Sequence, residues 1–498
     1  MTSVLVIGAG LGGIATAARL ARHGYEVTVI EKGEQAGGRC NRLLKDGHTF
    51  DTGPTLFLMP RIFAQTFADL GERMEDHLDL RRVDPSYRVH FADGSTLVLT
   101  SDLNAMQAQL EAIEPGSFGG FLRYLYEGHL HRTLAFPQLV ERDFRSLREF
   151  CSLLNPALLL RIKLLSRHYD NVGKYFSDHR LKAAFTFQDM YLSLSPYETP
   201  ATFSLLQYAE FADGVWFPMG GMYRIVEALA GIAQKWGARF EYDTPVERIN
   251  IAGRQAASVT LADDRQIEAD IVVANADLPY VYRYLLPNDG TASRLDHKKY
   301  TCSTVMFYWG VDKQYTQFGA HNLFLADSYR QIFDRILKDH NLPDEPTFYM
   351  HTPARIDASM APKGQDTLVV VVPVGHISDA AGQDWSEIQK RARRLVLQRL
   401  AGIGADDLDE HIKFEVSYTP QDWLSRYNLT KGSTLGLSHD LMQMGYLRPR
   451  NKHARYHNLY FVGASTHPGS GVPTVLLSAR FATERILQDA SVSRPTLS

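Results

Sequence analysis

Residues 4–31 read VLVIGAGLGGIATAARLARHGYEVTVIE, and this stretch decides the fold. It opens with a short apolar strand, passes through glycines at positions 8, 10 and 13, and continues into an alanine-rich helix. A second apolar strand follows and ends on Glu31. Glycines at this spacing, between a strand and a helix, permit a tight turn and a close approach of a pyrophosphate to the backbone. The stretch therefore predicts a dinucleotide-binding unit in an α/β fold.

Two further motifs separate FAD from a nicotinamide nucleotide. Gly37-Gly38-Arg39 follows the second strand, and Asp51-Thr52-Gly53-Pro54-Thr55 comes after a short polar turn. A flavin nucleotide needs additional donors for its second phosphate and ribityl chain, and Arg39 supplies a fixed positive charge for that purpose. The GxGxxG pattern occurs once in the chain, so the sequence gives no sign of a second site for NAD(P)H. FAD is therefore the predicted cofactor.

The bulk composition limits the class of protein. The chain has 498 residues, 45% of them hydrophobic, which is enough for several cores. A net charge of −3 gives no reason to expect a nucleic-acid partner. Three scattered cysteines predict neither a disulfide framework nor a metal site. With no signal peptide and no long uncharged apolar run, we expect a cytoplasmic protein without a membrane-spanning helix.

The order of predicted elements divides the chain into three parts. A discontinuous Rossmann-type FAD-binding domain takes residues 1–115, 222–298 and 450–498. Residues 116–221 have a helical pattern, and residues 299–449 have the pattern of an α+β substrate domain with an antiparallel sheet. In the last FAD-binding segment a buried strand meets a glycine-rich loop, and the helix after that loop presents its N-terminus to the flavin ring. The predicted FAD-binding residues are Gly8, Gly10, Gly12, Gly13, Glu31, Lys32, Gly38, Arg39, Gly53, Pro54, Thr55, Val246, Asn275, Gly463, Ala464, Gly471, Val472 and Pro473.

Four blocks of sequence carry a resemblance that runs over nearly the whole chain. They are residues 6–39 with 51–55, DMYLSLSP (189–196) with ATFSLLQY (201–208), GVWFPMGG (214–221), and NLYFVGASTHPGSGVP (458–473). These blocks resemble the bacterial and fungal phytoene desaturases, carotenoid desaturases of the FAD amine oxidase-like superfamily. The resemblance implies FAD as cofactor, phytoene or a related long polyene as substrate, and electron transfer to oxygen or a membrane quinone. A later-step carotenoid dehydrogenase, a C30 desaturase and a soluble flavin amine oxidase remain as alternatives.

Desaturation removes hydrogen from neighbouring carbons, so a base must accept a proton. The sequence offers five candidates, Asp189, Glu198, Glu210, Asp213 and His467, of which we take Asp189 and His467 as catalytic. Each has a structural alternative, because Asp189 fits a capping carboxylate and His467 fits a residue that fixes the glycine loop. Aromatic side chains in the family blocks are expected to line a substrate tunnel and to stabilise a cation, or else to be ordinary core. They are Tyr191, Tyr208, Trp216 and Phe217.

A substrate that dissolves in membranes requires contact with a membrane surface. Residues 153–167 read LLNPALLLRIKLLSR, with eight leucine or isoleucine residues, three basic residues and no acid. This composition is typical of a helix lying in the interface of an anionic bilayer. It predicts a membrane-associating helical subdomain and a peripheral membrane protein, and the alternative is a buried helix.

Overall fold

The computed structural model describes residues 1–153 and 155–492, which form a mixed α/β fold. The strands are β1 (Ser3–Ile7), β2 (Glu26–Ile30), β3 (Arg42–Lys45), β4 (His48–Asp51), β5 (Leu80–Val83), β6 (Tyr87–His90), β7 (Thr96–Leu99), β8 (Val215–Pro218), β9 (Arg239–Glu241), β10 (Val246–Ala252), β11 (Gln255–Leu261), β12 (Gln266–Glu268), β13 (Ile271–Ala274), β14 (Ser303–Val311), β15 (His321–Phe324), β16 (Phe348–His351), β17 (Asp366–Val374), β18 (Ile412–Tyr418) and β19 (Leu459–Phe461). The α-helices are α1 (Leu11–Arg22), α2 (Pro60–Asp69), α3 (Leu103–Ile113), α4 (Ser117–Ala135), α5 (Leu147–Leu153), α6 (Pro156–Arg161), α7 (His168–Val172), α8 (His179–Ala184), α9 (Ser204–Ala212), α10 (Tyr223–Lys235), α11 (Leu278–Tyr280), α12 (Thr291–Asp296), α13 (Tyr329–Leu337), α14 (Trp385–Ala401), α15 (Leu408–His411), α16 (Pro420–Tyr427) and α17 (Val472–Val492).

A five-stranded parallel sheet in the order β19-β13-β1-β2-β9 supports the glycine turn. Its strands come from the start, the middle and the end of the chain. Helices α1, α10 and α17 share a hydrophobic core with one face of the sheet, and the antiparallel sheet β10-β11-β12 packs against the other. Because both faces are covered, the strands are almost continuously apolar, as in Val4–Ile7 and Ile271–Ala274.

A second, seven-stranded sheet has the order β18-β14-β17-β16-β15-β6-β7. Its pairs are antiparallel except β15 with β6, and α14 shares a core with one of its faces. The hairpin β6–β7 belongs to this sheet because β6 pairs with β15, although it falls within residues 1–115, which the sequence predicts to be part of the FAD-binding domain. The buried residues Tyr87 and Val89 of this hairpin pack into a core with the helices of residues 116–221.

Residues 116–221 form a set of helices, α4 to α9, and the strand β8, which pairs with β5. The sequence predicts one interfacial helix over residues 153–167, but the structure does not contain one continuous helix there. Helix α5 ends at Leu153, Leu154 lies outside the described residues, and the separate short helix α6 begins at Pro156, capped by the side chain of Asn155. The chain then turns through Lys163, whose φ is +51°.

Candidate active site

One large cavity of about 1330 Å³ runs through the molecule, and the carboxyl ends of β1 and β2 open into it. This volume exceeds the range of about 300–1,000 Å³ that is usual for one small ligand, so the cavity has room for a cofactor and a substrate. Of the predicted FAD-binding residues, all except Gly13 line it. The sequence motifs therefore meet around one space, although they are far apart in the chain.

The glycine turn is held together by close backbone packing. A Cβ on Gly13 would lie 2.2 Å from the carbonyl oxygen of Gly8, so only glycine permits the approach of α1 to β1. The side-chain amide of Asn275, at the end of the neighbouring strand β13, donates a hydrogen bond of 3.1 Å to the same carbonyl oxygen. Gly13 is thus a packing residue of the turn, while Gly8, Gly10 and Gly12 face the cavity.

Glu31 directly follows strand β2 and lines the cavity. Its Oε2 accepts a hydrogen bond of 2.7 Å from the backbone N–H of Ala9, and its Oε1 accepts one of 2.9 Å from the backbone N–H of Gly33. Each carboxylate oxygen retains a second lone pair for a donor in the cavity. The carboxylate is thus oriented before a nucleotide binds.

Arg39 is a partly buried cation on the cavity wall, and desolvation lowers the pKa of its guanidinium. Among the described residues its side chain makes one hydrogen bond, from Nη1 to the carbonyl oxygen of Thr434 (2.8 Å). The remaining N–H groups suit a phosphate. A Cβ on Gly53 would lie 1.8 Å from the carbonyl oxygen of Arg39, so the two predicted phosphate motifs are in direct backbone contact.

A tyrosine that sequence reasoning missed, Tyr349, lies on the cavity wall. Its hydroxyl is 2.8 Å from Oγ1 of Thr55 and 2.7 Å from Nδ1 of His321. Burial places the pKa of His321 well below its usual value, so this imidazole is neutral. The signal available in the sequence was a pair of histidines in the apolar strands β15 and β16.

A second polar cluster borders the cavity at Tyr191. The Tyr191 hydroxyl donates a hydrogen bond of 2.7 Å to Oε1 of Glu210, and the amide of Gln188 donates one of 3.0 Å to Oε2. The hydroxyl of Tyr87 contacts that of Tyr191 and lies 3.4 Å from Glu210. Burial raises the pKa of Glu210 to about 7.

Comparison with known proteins agrees with this geometry. Residues 11–487 match the family of flavin containing amine oxidoreductases. The zeta-carotene-forming phytoene desaturase of Myxococcus xanthus is 44% identical over 99% of this chain and 96% of its own length. The phytoene desaturase of Phycomyces blakesleeanus is 42% identical over 99% of this chain and 86% of its own length. This chain belongs to the phytoene desaturase family. It is an FAD-dependent carotenoid desaturase of the flavin amine oxidoreductase fold.

A solved structure shows how far the fold extends beyond that family. A triple mutant of putrescine oxidase superposes with a TM-score of 0.65 at 16% identity, covering 98% of this chain and 99% of its own. At this identity the likeness concerns the fold alone. The framework of this chain therefore also occurs outside the phytoene desaturase family.

Asp189, a catalytic candidate from the sequence, does not line the cavity of this desaturase. Its buried carboxylate accepts a hydrogen bond of 2.9 Å from Nδ1 of His168. The hydroxyl of Tyr124 lies 2.8 Å from Nε2 of the same ring and donates to the carbonyl oxygen of Phe185 at 2.9 Å. The carboxylate is therefore engaged inside the helical part, where it joins α7 to the turn that carries Tyr191.

His467 also lies behind the cavity wall, while the next residue, Pro468, lines it. Its Nε2 is 2.8 Å from the carbonyl oxygen of Arg142, and its ring stacks on Phe481 with centroids 5.7 Å apart. Burial lowers the pKa of His467 to about 4, so the imidazole is neutral. These contacts match the alternative interpretation, in which His467 fixes the loop between β19 and α17.

Three of the four predicted tunnel aromatics are absent from the cavity lining, and only Tyr191 lies on it. The indole of Trp216 donates to the carbonyl oxygen of Asp213 (2.7 Å), because strand β8 turns it toward the helical part. Phe217 is fully buried against His351, and Tyr208 bonds His129 at the surface of α9. Pairing of β8 with β5 and the position of Tyr208 on α9 set the directions of these three side chains.

The far end of the cavity is apolar and reaches the surface. Leu159 and Leu164 line it, and so does the segment 441–447, where Met442 is 70% exposed. Beside them, Leu160 and Leu165 are 78% and 81% exposed. Lys163 is paired with Glu127 and so is not free to bind lipid. Within residues 1–153 and 155–492, no helix is long and apolar enough to cross a membrane.

Proposed function

We propose that this enzyme introduces double bonds into phytoene or a closely related C40 polyene. The observation that carries the proposal is the continuity of the large cavity, which joins the predicted FAD-binding residues to an apolar wall and an apolar mouth. The names of the relatives that match over the full length support the choice of substrate. The alternative substrates are a later carotenoid intermediate and a C30 polyene, and the test must distinguish them from phytoene.

The residues present fit FAD. Arg39 would meet a phosphate, Glu31 the adenosine ribose, and the N-terminus of α17 at Val472 the flavin ring, while Gly10 and Gly12 leave room for the pyrophosphate. Bound FAD supplies a two-electron acceptor for the dehydrogenation. The protein contributes the orientation of these donors and a dry wall around the reacting carbons.

The substrate side of the cavity holds a polyene by burial rather than by polar contacts. Apolar residues from the helical part, from the seven-stranded sheet and from α13 line this space, and they include Phe187, Met190, Leu206, Leu323, Phe333 and Phe348. Burial of apolar surface contributes about 25 cal/mol per Å², so a long hydrocarbon is retained without hydrogen bonds. These six side chains carry no carboxylate that could anchor a small cationic amine.

We also propose that the apolar mouth rests on a membrane. Leu160, Leu165 and Met442 would enter the bilayer surface, and the exposed Arg161 and Arg167 would contact anionic head groups. The substrate would then pass from lipid directly into the cavity. Electrons would leave to a membrane quinone or to oxygen, since the sequence contains one dinucleotide motif.

The test is conversion of defined substrates by the purified, FAD-loaded protein. Phytoene, a C30 analogue and a later carotene would be offered separately in phospholipid vesicles with a quinone, and the products separated by chromatography with absorbance spectra. We expect phytoene to be consumed fastest and to yield longer conjugated polyenes. Faster consumption of the C30 or the later substrate would favour the alternative.

A further inference from the structure

Glu210 is a buried acid that the FAD-binding arrangement leaves unexplained. It lies on α9 and is 5% exposed. No ion pair joins it to a cation within the part of the chain that the structure describes. A buried carboxylate without a cation is costly, and such groups concentrate at functional sites.

The carboxylate is connected to the cavity through one residue. Tyr191 lines the cavity, and its hydroxyl donates to Oε1 of Glu210 at 2.7 Å. Tyr87, from strand β6, is the other titratable group in hydrogen-bond contact with Glu210. A proton that reaches the Tyr191 oxygen can therefore pass to Glu210 without crossing solvent.

The surroundings of Glu210 can satisfy both of its protonation states. In the ionised state it accepts hydrogen bonds from the Tyr191 hydroxyl and from the Gln188 amide nitrogen. The other amide atom of Gln188, Oε1, is buried without a partner among the described residues. Rotation of this amide by half a turn would present Oε1 to a protonated Oε2 of Glu210 as an acceptor. Gln188 thus allows the carboxyl group to gain and lose a proton in place.

We propose that Tyr191 and Glu210 together accept the proton released in desaturation, an inference that rests on the proposed function. The Tyr191 oxygen takes the proton from the substrate carbon next to the one that is oxidised, while its own proton moves to Oε1 of Glu210. The electron pair of the broken C–H bond becomes the second bond of the new C=C. The other hydrogen leaves with two electrons to the cofactor, so atoms and electrons balance. Glu210 releases its proton before the next turnover.

The ionisation of Glu210 supports this direction of transfer. Burial raises its pKa to about 7, so near neutral pH the group exists in both forms. Two buried histidines at or near the cavity, His321 and His439, have pKa values well below the usual value and hold a proton less readily. Asp189 is already paired with His168.

The experiment compares Glu210→Gln, Tyr191→Phe and Glu210→Asp with the FAD-loaded wild type on phytoene vesicles. We expect kcat to fall at least about tenfold in the first two variants, with KM and FAD content unchanged, and to recover in part in Glu210→Asp. The wild-type kcat should rise with pH through an apparent pKa near 7, and Glu210→Gln should lose this limb. Glu387→Gln, which changes an exposed acid on α14, is the matched control.

A second readout needs no turnover. Infrared titration of the wild type should show protonated carboxyl absorption that disappears around pH 7, from Asp51 and Glu210 together, and Glu210→Gln should lose the part that belongs to Glu210. Wild-type kcat and pH profile in both Glu210→Gln and Tyr191→Phe would overturn the inference while leaving the desaturase function standing. If Glu210→Gln does not fold, Tyr191→Phe alone decides. A wild type that leaves phytoene unchanged at every pH would overturn the proposed function and this inference together.

Discussion

The backbone N–H of Ala9 donates a hydrogen bond of 2.7 Å to Oε2 of Glu31. This bond joins the glycine turn after β1 to the end of β2, so the two ends of the dinucleotide motif are fixed relative to each other. The cavity begins between them and continues to the exposed leucines of the helical part. The cofactor motif and the apolar entrance therefore belong to one continuous site.

Replacing Glu31 by Gln should weaken FAD binding. Glutamine offers one acceptor oxygen to the two N–H donors of Ala9 and Gly33, and it removes the charge from the hydrogen bonds expected with a ribose. We expect a loss of about 1.5–3 kcal/mol in the free energy of FAD binding. Equilibrium titration of the apoprotein with FAD measures this free energy. An unchanged Kd would show that Glu31 does not contact the cofactor.

Replacing Gly10 by Val should abolish flavin retention. A Cβ at Gly10 would lie 2.9 Å from the amide nitrogen of Asn275 and would occupy the edge of the cavity where we place the pyrophosphate. The control is Gly231→Ala in α10, where the added Cβ meets open space. Flavin absorbance after gel filtration should be near zero for the first variant and normal for the second. Full flavin in a folded Gly10→Val protein would contradict the placement.

The double variant Leu160→Ser, Leu165→Ser should bind anionic vesicles at least about tenfold more weakly than the wild type. Both side chains are largely exposed, so FAD content should not change, whereas each buried leucine contributes about 1.5–3 kcal/mol to membrane binding. Leu44→Ser, Leu103→Ser is the matched control, since these leucines are exposed and do not line the cavity. Flotation measures the bound fraction. Equal binding by the wild type and both double variants would mean that the membrane contact lies elsewhere.

Acidification should destabilise the protein through its buried histidines. Burial lowers the pKa of His131, His351 and His467 to about 4, so between pH 6.5 and 4 the unfolded chain binds more protons than the folded one. Their contribution to stability is complete above about pH 6.5 and is lost as the pH falls toward 4. Asp51 and Glu210, whose pKa values are raised to about 7, act in the opposite sense.

The variant His467→Gln isolates one of these contributions, because glutamine can still donate to the carbonyl oxygen of Arg142. The wild type should lose up to about 2 kcal/mol more than this variant between pH 7 and pH 5. Thermal unfolding at a series of pH values measures the difference. Parallel curves for the two proteins would show that His467 is not held neutral by the fold.

Local sequence patterns were sufficient for the framework of the FAD site. The order strand, glycine turn, helix and strand over residues 4–31 was predicted as the structure shows it, and the glycine motifs converge on one cavity. These features depend on neighbours close in sequence, such as a turn that only glycine can form. The motifs that we assign to the cofactor could be recognised in the sequence because they too depend on residues that are close in sequence.

The substrate side could not be predicted from local patterns. Tyr349 reaches the cavity because β16 pairs in the seven-stranded sheet, and Trp216 faces away from it because β8 pairs with β5. Glu210 differs from Asp189, which is equally buried, in its connection to the cavity, and that connection depends on contacts with Tyr191 and Tyr87 from other elements. Contacts between elements that are distant in sequence therefore set the positions of Tyr349, Trp216 and Glu210.

The central claim is that polyene oxidation and flavin reduction occur in one cavity. The direct test is to mix the FAD-loaded protein with phytoene vesicles in the absence of oxygen, quinone and NAD(P)⁺, and to follow flavin absorbance and products together. We expect one new double bond for each flavin bleached, with colour restored by a quinone or by oxygen. A flavin that stays oxidised with phytoene but is bleached by an amine such as putrescine would contradict the account.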